Sequence, residues 1–320
     1  MASLMALAPP AVLPQQPQKP QEDLPPPITV DVDVVNILAS VRDKRGALVS
    51  TLGKDDFIVA EDGKPQEIRY FARETDLPLT IGLLVDVSRS QRNLIEIEKS
   101  AAYQFLTQVL RKKDMAFLIS FGQDAELLQD FTASPRLLQA GLDRLQVNAP
   151  AGGLQPGPVP TVYKPRGTVL YEAAYLAGKE KLAREVGRKI MVIITDGVDQ
   201  GSRVSRDEAI EAAQKADAVI YSIYYVDPRA YDGFGAGSDS DLKKMAEQTG
   251  GRVFRVDRKN GLSDIFTELQ EEMRSQYAIG YTPSNNVKDG GFRKVEVRAR
   301  DKNLKVQARS GYYAVKPGSR

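Results

Sequence analysis

The 320-residue chain contains no cysteine, no histidine and no tryptophan. Without cysteine and histidine there are no Cys/His zinc sites, no thiol nucleophile and no Ser-His-Asp triad. The commonest general base is missing too, so any chemistry would run through carboxylates, lysine or a metal. A metal site here must be built from oxygen, which favours magnesium, calcium or manganese. Charge of one sign is also lacking: 44 Lys and Arg stand against 42 Asp and Glu, and no global field points to a nucleic-acid partner. No apolar run reaches the length that spans a bilayer. The lack of cysteine leaves the redox compartment open.

The first residues, MASLMALAPPAVLP, combine a short apolar stretch with Ala6-Leu7-Ala8. They read as the tail of a secretory signal without its basic region, or as a loose terminus. Residues 1–27 end in a proline-rich segment expected to be extended. From Ile28 the pattern alternates, with Val30, Val32 and Val34 on one face. Ile37, Ala39 and Val41 then take over the apolar side, which suggests a bulge near Val35. DFIVAEDGKPQEIRYF (56–71) reads as two strands joined by Asp62-Gly63, a hairpin signal. Residues 28–76 are thus a β segment too small to stand alone.

Residues 77–276 alternate strands with helices. Buried strands are expected at 79–86, 115–121, 188–196 and 218–226, with short ones at 125–131 and 252–256. Helices are expected at 91–110 (stripe Leu94, Ile97, Ala101, Phe105, Val109), 135–145, 168–184, 206–216, around 239–249, and 262–276. The fold class is α/β, a Rossmann-like, doubly wound, mostly parallel sheet. Alternation returns over 277–316 as three strands, at 276–283, 292–300 and 304–315, before a tail at 317–320. Neither flank can cover itself, so the two are expected to pair as a sandwich of six or seven strands, with the α/β block inserted between them.

In an open α/β sheet, ligands collect outside the carboxyl ends of the strands. Asp86, Ser88 and Ser90 follow the first buried strand, Thr168 opens a helix in RGTVLYEAAYLA, and Asp196 ends the strand in IITDG. These hard oxygens from three segments suit a six-coordinate magnesium site with room for water or a ligand oxygen. Capping competes as an explanation, since Ser90 and Thr168 also sit where helix N-caps belong. All three elements in order, each beside the right secondary structure, favour the metal.

LLVDVSRS, GTVLYEAA and IITDG resemble the metal-ion-dependent adhesion site (MIDAS) of von Willebrand factor type A domains, over about residues 78–276. The flanks, with DFIVAEDGKPQ, with Tyr277, Gly280, Tyr281 and Pro283, and with SGYYAV, are similar to those of bacterial von Willebrand A-related proteins. The resemblance implies Ser88 and Ser90 as direct hydroxyl ligands, joined by Thr168 when a ligand is bound. It implies Asp86 and Asp196 as ligands through water or directly. The cation would be Mg2+, with Mn2+ or Ca2+ as substitutes, and it would capture an Asp or Glu of a partner protein rather than catalyse a reaction. Arg89 departs from the glycine common at that position, and a cation there favours acidic partners.

Other features have two readings each. Tyr163, Lys164 and Arg166, in the Pro/Gly loop 148–166, are partner-contact candidates or part of a tolerated insertion. Asp199 orients a water behind the metal or holds a turn. The acidic loop 227–241 lacks the spacing of a calcium loop. Lys294, Arg298, Arg300, Lys305 and Arg309 form either a solvated basic face or a polyanion site. The function expected is a divalent-metal-dependent protein-binding module, exported and not an enzyme. The alternatives are a metal-independent structural protein and a magnesium-assisted hydrolase.

Overall fold

The computed structural model describes residues 34–73, 77–147, 167–231 and 238–315. The first flank supplies β1 (Val35–Arg42), β2 (Phe57–Glu61), β3 (Lys64–Gln66) and β4 (Ile68–Arg73). Asp62 and Gly63 both take positive φ (47° and 79°), as a two-residue hairpin matching strand twist requires. The chain then leaves that sheet at Glu67, so the second expected strand becomes two. Residues before Val34, where alternation and the bulge were expected to begin, lie outside the described residues.

The middle of the chain gives β5 (Leu79–Asp86), α1 (Ile95–Val109), β6 (Met115–Phe121), β7 (Ala125–Thr132), α2 (Pro135–Asp143), α3 (Leu170–Leu176), β8 (Arg188–Thr195), α4 (Arg206–Lys215), β9 (Ala218–Tyr224), α5 (Ser240–Thr249), β10 (Val253–Arg255) and α6 (Leu262–Arg274). Six strands form one sheet in the order β10-β9-β8-β5-β6-β7, parallel except for the antiparallel edge strand β7. Every residue of β5 and β8 is buried, which is why both read as continuous apolar runs. Leu79, Ile81, Leu83 and Val85 pack under α1, α2 and α6. Leu84 faces the other way, among α3, α4 and α5. The helix expected over 168–184 is α-helical only to Leu176 and then widens into a π turn at Ala177–Lys181. There Gly178 lies so close to α4 that a Cβ would sit 3.0 Å from the Ala212 carbonyl carbon.

The α1 stripe differs from expectation at one position. Ile97 is exposed, and the buried face is Ile95, Glu98, Ala101, Ala102, Phe105, Leu106 and Val109. Position 98 is four residues beyond Leu94 and three before Ala101, so the helix turns a carboxylate into the core face.

The last flank forms β11 (Tyr277–Tyr281), β12 (Phe292–Ala299), β13 (Lys305–Ala308) and β14 (Gly311–Tyr313). Two four-stranded sheets result, β13-β1-β11-β4 and β14-β12-β2-β3. Each mixes strands from both flanks, and they share one core that includes Ile37, Val41, Phe57, Val59, Tyr277, Ile279, Tyr281 and Val295. Among the described residues the sandwich has eight strands rather than six or seven. The expected strand 304–315 breaks at Arg309–Ser310, so β13 joins β1 while β14 joins β12. A buried ion-pair cluster ties β1 to α6: Glu272 accepts from Arg42 at 2.6 Å and from Arg252 at 2.7 Å. Among the described residues no helix is long and apolar enough to cross a membrane.

Candidate metal centre

β5 and β8 are adjacent and parallel, with Val85 opposite Ile194, so both strands end at the same edge of the sheet. There β5 delivers Asp86, fully buried, and β8 delivers Thr195 and Asp196, also buried. The Ser88 N–H donates to Asp86 Oδ1 at 2.8 Å and the Thr195 hydroxyl donates to Oδ2 at 2.5 Å. The chain after β5 turns through a single 3₁₀ turn at Arg89–Gln91, which brings Ser88 Oγ and Ser90 Oγ within 2.9 Å. Val87 N–H bonds the Phe121 carbonyl at the end of β6, fixing the origin of this loop.

Thr168 reaches the same edge through its neighbours. Val169 N–H bonds the Gly122 carbonyl beyond β6, and the Thr168 carbonyl accepts from Gln200 and Gly201, in the loop after Asp196. Of the site residues expected from sequence, Asp86, Ser88 and Ser90 are joined by hydrogen bonds. Asp196 acts on Asp86 by its charge, and Thr168 is tied in through the backbone. Arg89 is exposed on the 3₁₀ turn. Tyr163, Lys164 and Arg166 lie outside the described residues. Asp199 accepts from Tyr171 N–H at 3.1 Å and from the Ser202 hydroxyl at 2.6 Å. It therefore holds the first turn of α3.

Electrostatics separate this edge from an ordinary capped loop. Burial, and then the charge of Asp196, push the Asp86 carboxyl up to about 7, with Thr195 and Ser88 only partly opposing the rise. The charge of Asp196 thus disfavours ionisation of Asp86, and a divalent cation would relieve that repulsion. The donor set, two carboxylates and three hydroxyls, is the all-oxygen kind that magnesium, manganese or calcium accepts.

Glu98 is the residue that sequence reasoning passed over. It has no exposed surface, and neither carboxylate oxygen has a hydrogen-bond partner among the described residues. Burial, with the charges of Asp86 and Asp196 added, raises its carboxyl well above the usual range. The signal available was a glutamate at the centre of the apolar stripe running from Leu94 to Val109. Other candidates are already engaged. Asp227 holds Asn93 and the turn at Arg229. Asp239 pairs with Arg255, and Asp241 is bound by Tyr171 and Arg206. On the last hairpin, Arg298 pairs with Glu296, Arg300 donates to the Asp55 carbonyl and Arg309 pairs with Asp217.

Residues 163–268 match the model of the von Willebrand factor type A domain, a span that contains Thr168 and Asp196. Over 92 residues the chain is 32% identical to integrin alpha-X of Mus musculus, covering 28% of this chain and 8% of that protein. It is 22% identical over 235 residues to an uncharacterized protein of Borreliella burgdorferi, covering 68% of this chain and 59% of that one. The chain therefore spans less than two thirds of the length of these relatives. Among solved structures, proximal thread matrix protein 1 of the mussel byssus, with its MIDAS motif occupied by zinc, aligns at a TM-score of 0.50. Identity is 15%, over 67% of this chain and 49% of that one. Residues 163–268, about a third of the chain, are thus similar to a von Willebrand factor type A domain and lie within the six-stranded, doubly wound sheet.

Proposed function

We propose that the carboxyl edge of the domain's sheet binds a divalent cation, magnesium by preference, and offers it to a carboxylate of a partner protein. The observation that carries this reading is the burial of Asp86 and Asp196 at one edge, beside a pair of serine hydroxyls 2.9 Å apart. Ser88, Ser90 and Thr168 would supply neutral oxygens, with Asp86 and Asp196 supplying charge directly or through water. The ion, when bound, is a Lewis acid with a coordination position left for the partner. A fold neighbour whose MIDAS motif holds zinc supports the reading. Arg89, exposed beside the serines, adds a positive charge suited to an acidic partner. This is binding and not catalysis. The chain contains no histidine or cysteine, so the commonest general base and a thiol nucleophile are missing. Export is part of the proposal and rests on the apolar N-terminal stretch with Ala6-Leu7-Ala8.

A thermal melt of the full chain in EDTA, magnesium or manganese tests the metal. An ion that binds only the native state raises the midpoint with concentration. The wild type is expected to gain and Asp196→Ala not to. Identical responses from the two would sink the metal reading and leave a metal-independent structural domain. Capture of partners on immobilised wild type in magnesium, lost both in EDTA and in Asp86→Ala, tests the second half of the proposal.

A further inference from the structure

Beneath the site lies a charged group that the five expected ligands do not account for. Glu98 sits on the core face of α1, fully buried, with both oxygens lacking a donor. A buried carboxylate without partners is one of the most costly side chains a core can hold, and an apolar residue there would pack at no such penalty. Its surroundings do not offset that cost. Asp86 and Asp196 act on it with charge of the same sign, and on the other side it raises the Tyr225 hydroxyl. Gln91, also buried, donates its amide N–H to the Tyr225 carbonyl at 3.3 Å, which leaves Gln91 Oε1 as another acceptor without a donor. Among the described residues Glu98 and Gln91 thus place three oxygen atoms without a donor near this edge of the sheet.

We propose that Glu98 is a positioning residue of the cation site: a third carboxyl group near Asp86 and Asp196 that gives up its proton when a divalent ion binds and strengthens that binding without being a direct ligand. This rests on the metal reading of that edge. Among the described residues no three carboxylates lie close enough to hold one ion together, so Glu98 acts across a gap, on the aspartates and the ion they hold. Residues behind the direct ligands commonly change metal affinity by about 10- to 100-fold, and a charge in a dry interior acts further than one in water. The helix also fixes where this carboxyl sits, because α1 and β5 pack in one core.

The test is calorimetric titration of Mn2+ into the full chain, paired with melting in EDTA, for wild type, Glu98→Gln, Glu98→Met and Asp196→Ala. Glu98→Gln is nearly isosteric and removes only charge. The expected result is Mn2+ binding weakened about tenfold or more in both Glu98 variants, with EDTA midpoints equal to or above wild type. A merely structural glutamate would lower those midpoints, so a fall in both overturns the proposal. Binding within about twofold of wild type in Glu98→Gln, with Asp196→Ala silent, overturns the Glu98 role and leaves the site standing. No Mn2+ binding by the wild type removes both readings together.

Discussion

Replacing Asp86 by asparagine should stabilise the metal-free protein, although the residue is buried and hydrogen-bonded. The native carboxyl titrates near 7, against 3.8 for its ordinary value. Between those pH values the folded state binds more protons than the unfolded state, so stability falls as pH rises and levels off above 7. Each tenfold change in proton affinity is worth about 1.4 kcal/mol, so an ionised Asp86 costs the fold about 4 kcal/mol at pH 8. At pH 5 the same relation leaves a cost of about 2 kcal/mol. Asparagine keeps an acceptor for the Ser88 N–H, and Thr195 can rotate to accept from the new amide. The advantage of Asp86→Asn in EDTA should therefore widen by about 2 kcal/mol from pH 5 to pH 8, read from urea unfolding at several pH values. In magnesium at a hundred times the dissociation constant only the wild type gains, by about 2.7 kcal/mol, so the order should reverse at pH 5 and the gap should narrow at pH 8. If Asp86→Asn is the less stable form at pH 8 in EDTA, or if its advantage does not vary with pH, the reasoning about burial and repulsion at this edge is wrong.

Two further expectations concern the frame around the site. Glu272→Gln removes the charge that Arg42 and Arg252 share at the junction of β1 and α6, and urea unfolding should show a loss of about 3 kcal/mol, as for a broken buried pair. Gly251→Ala puts a Cβ 1.9 Å from the Ile220 carbonyl oxygen. Backbone cannot yield as a flexible side chain can, so a loss of about 3 kcal/mol or more is expected, read as a lowered urea midpoint with an unchanged slope.

The proposed site residues could be picked out because they sit where local pattern changes. Asp86 ends an apolar run, Thr168 precedes a helix and Asp196 ends a second run, and the parallel pairing of β5 with β8 follows from that alternation. Asp199 was less legible, since a carboxylate after a strand looks alike whether it serves an ion or the first turn of another helix. Its partners, Tyr171 and Ser202, fall on both sides of the ambiguity in sequence and resolve it only in space. Ile97 and Glu98 were misjudged for a related reason. Hydropathy assigns a helix face by which residues dislike water, while the face itself is set by where β5 and α6 lie against α1.

By itself the sequence determined the elements: the apolar runs that become β5 and β8, the Asp62-Gly63 hairpin, the stripe of α6 and the order of oxygen side chains along one edge. Those follow from local sterics and from a periodicity that a single strand or helix enforces. Tertiary structure alone decided how two separated β segments interleave into eight strands, where the last segment breaks between two sheets, and that Glu98 lies buried beneath Asp86 and Asp196. Each of these depends on charges and surfaces from distant parts of the chain meeting in a dry interior, where one unpaired carboxylate outweighs many local preferences.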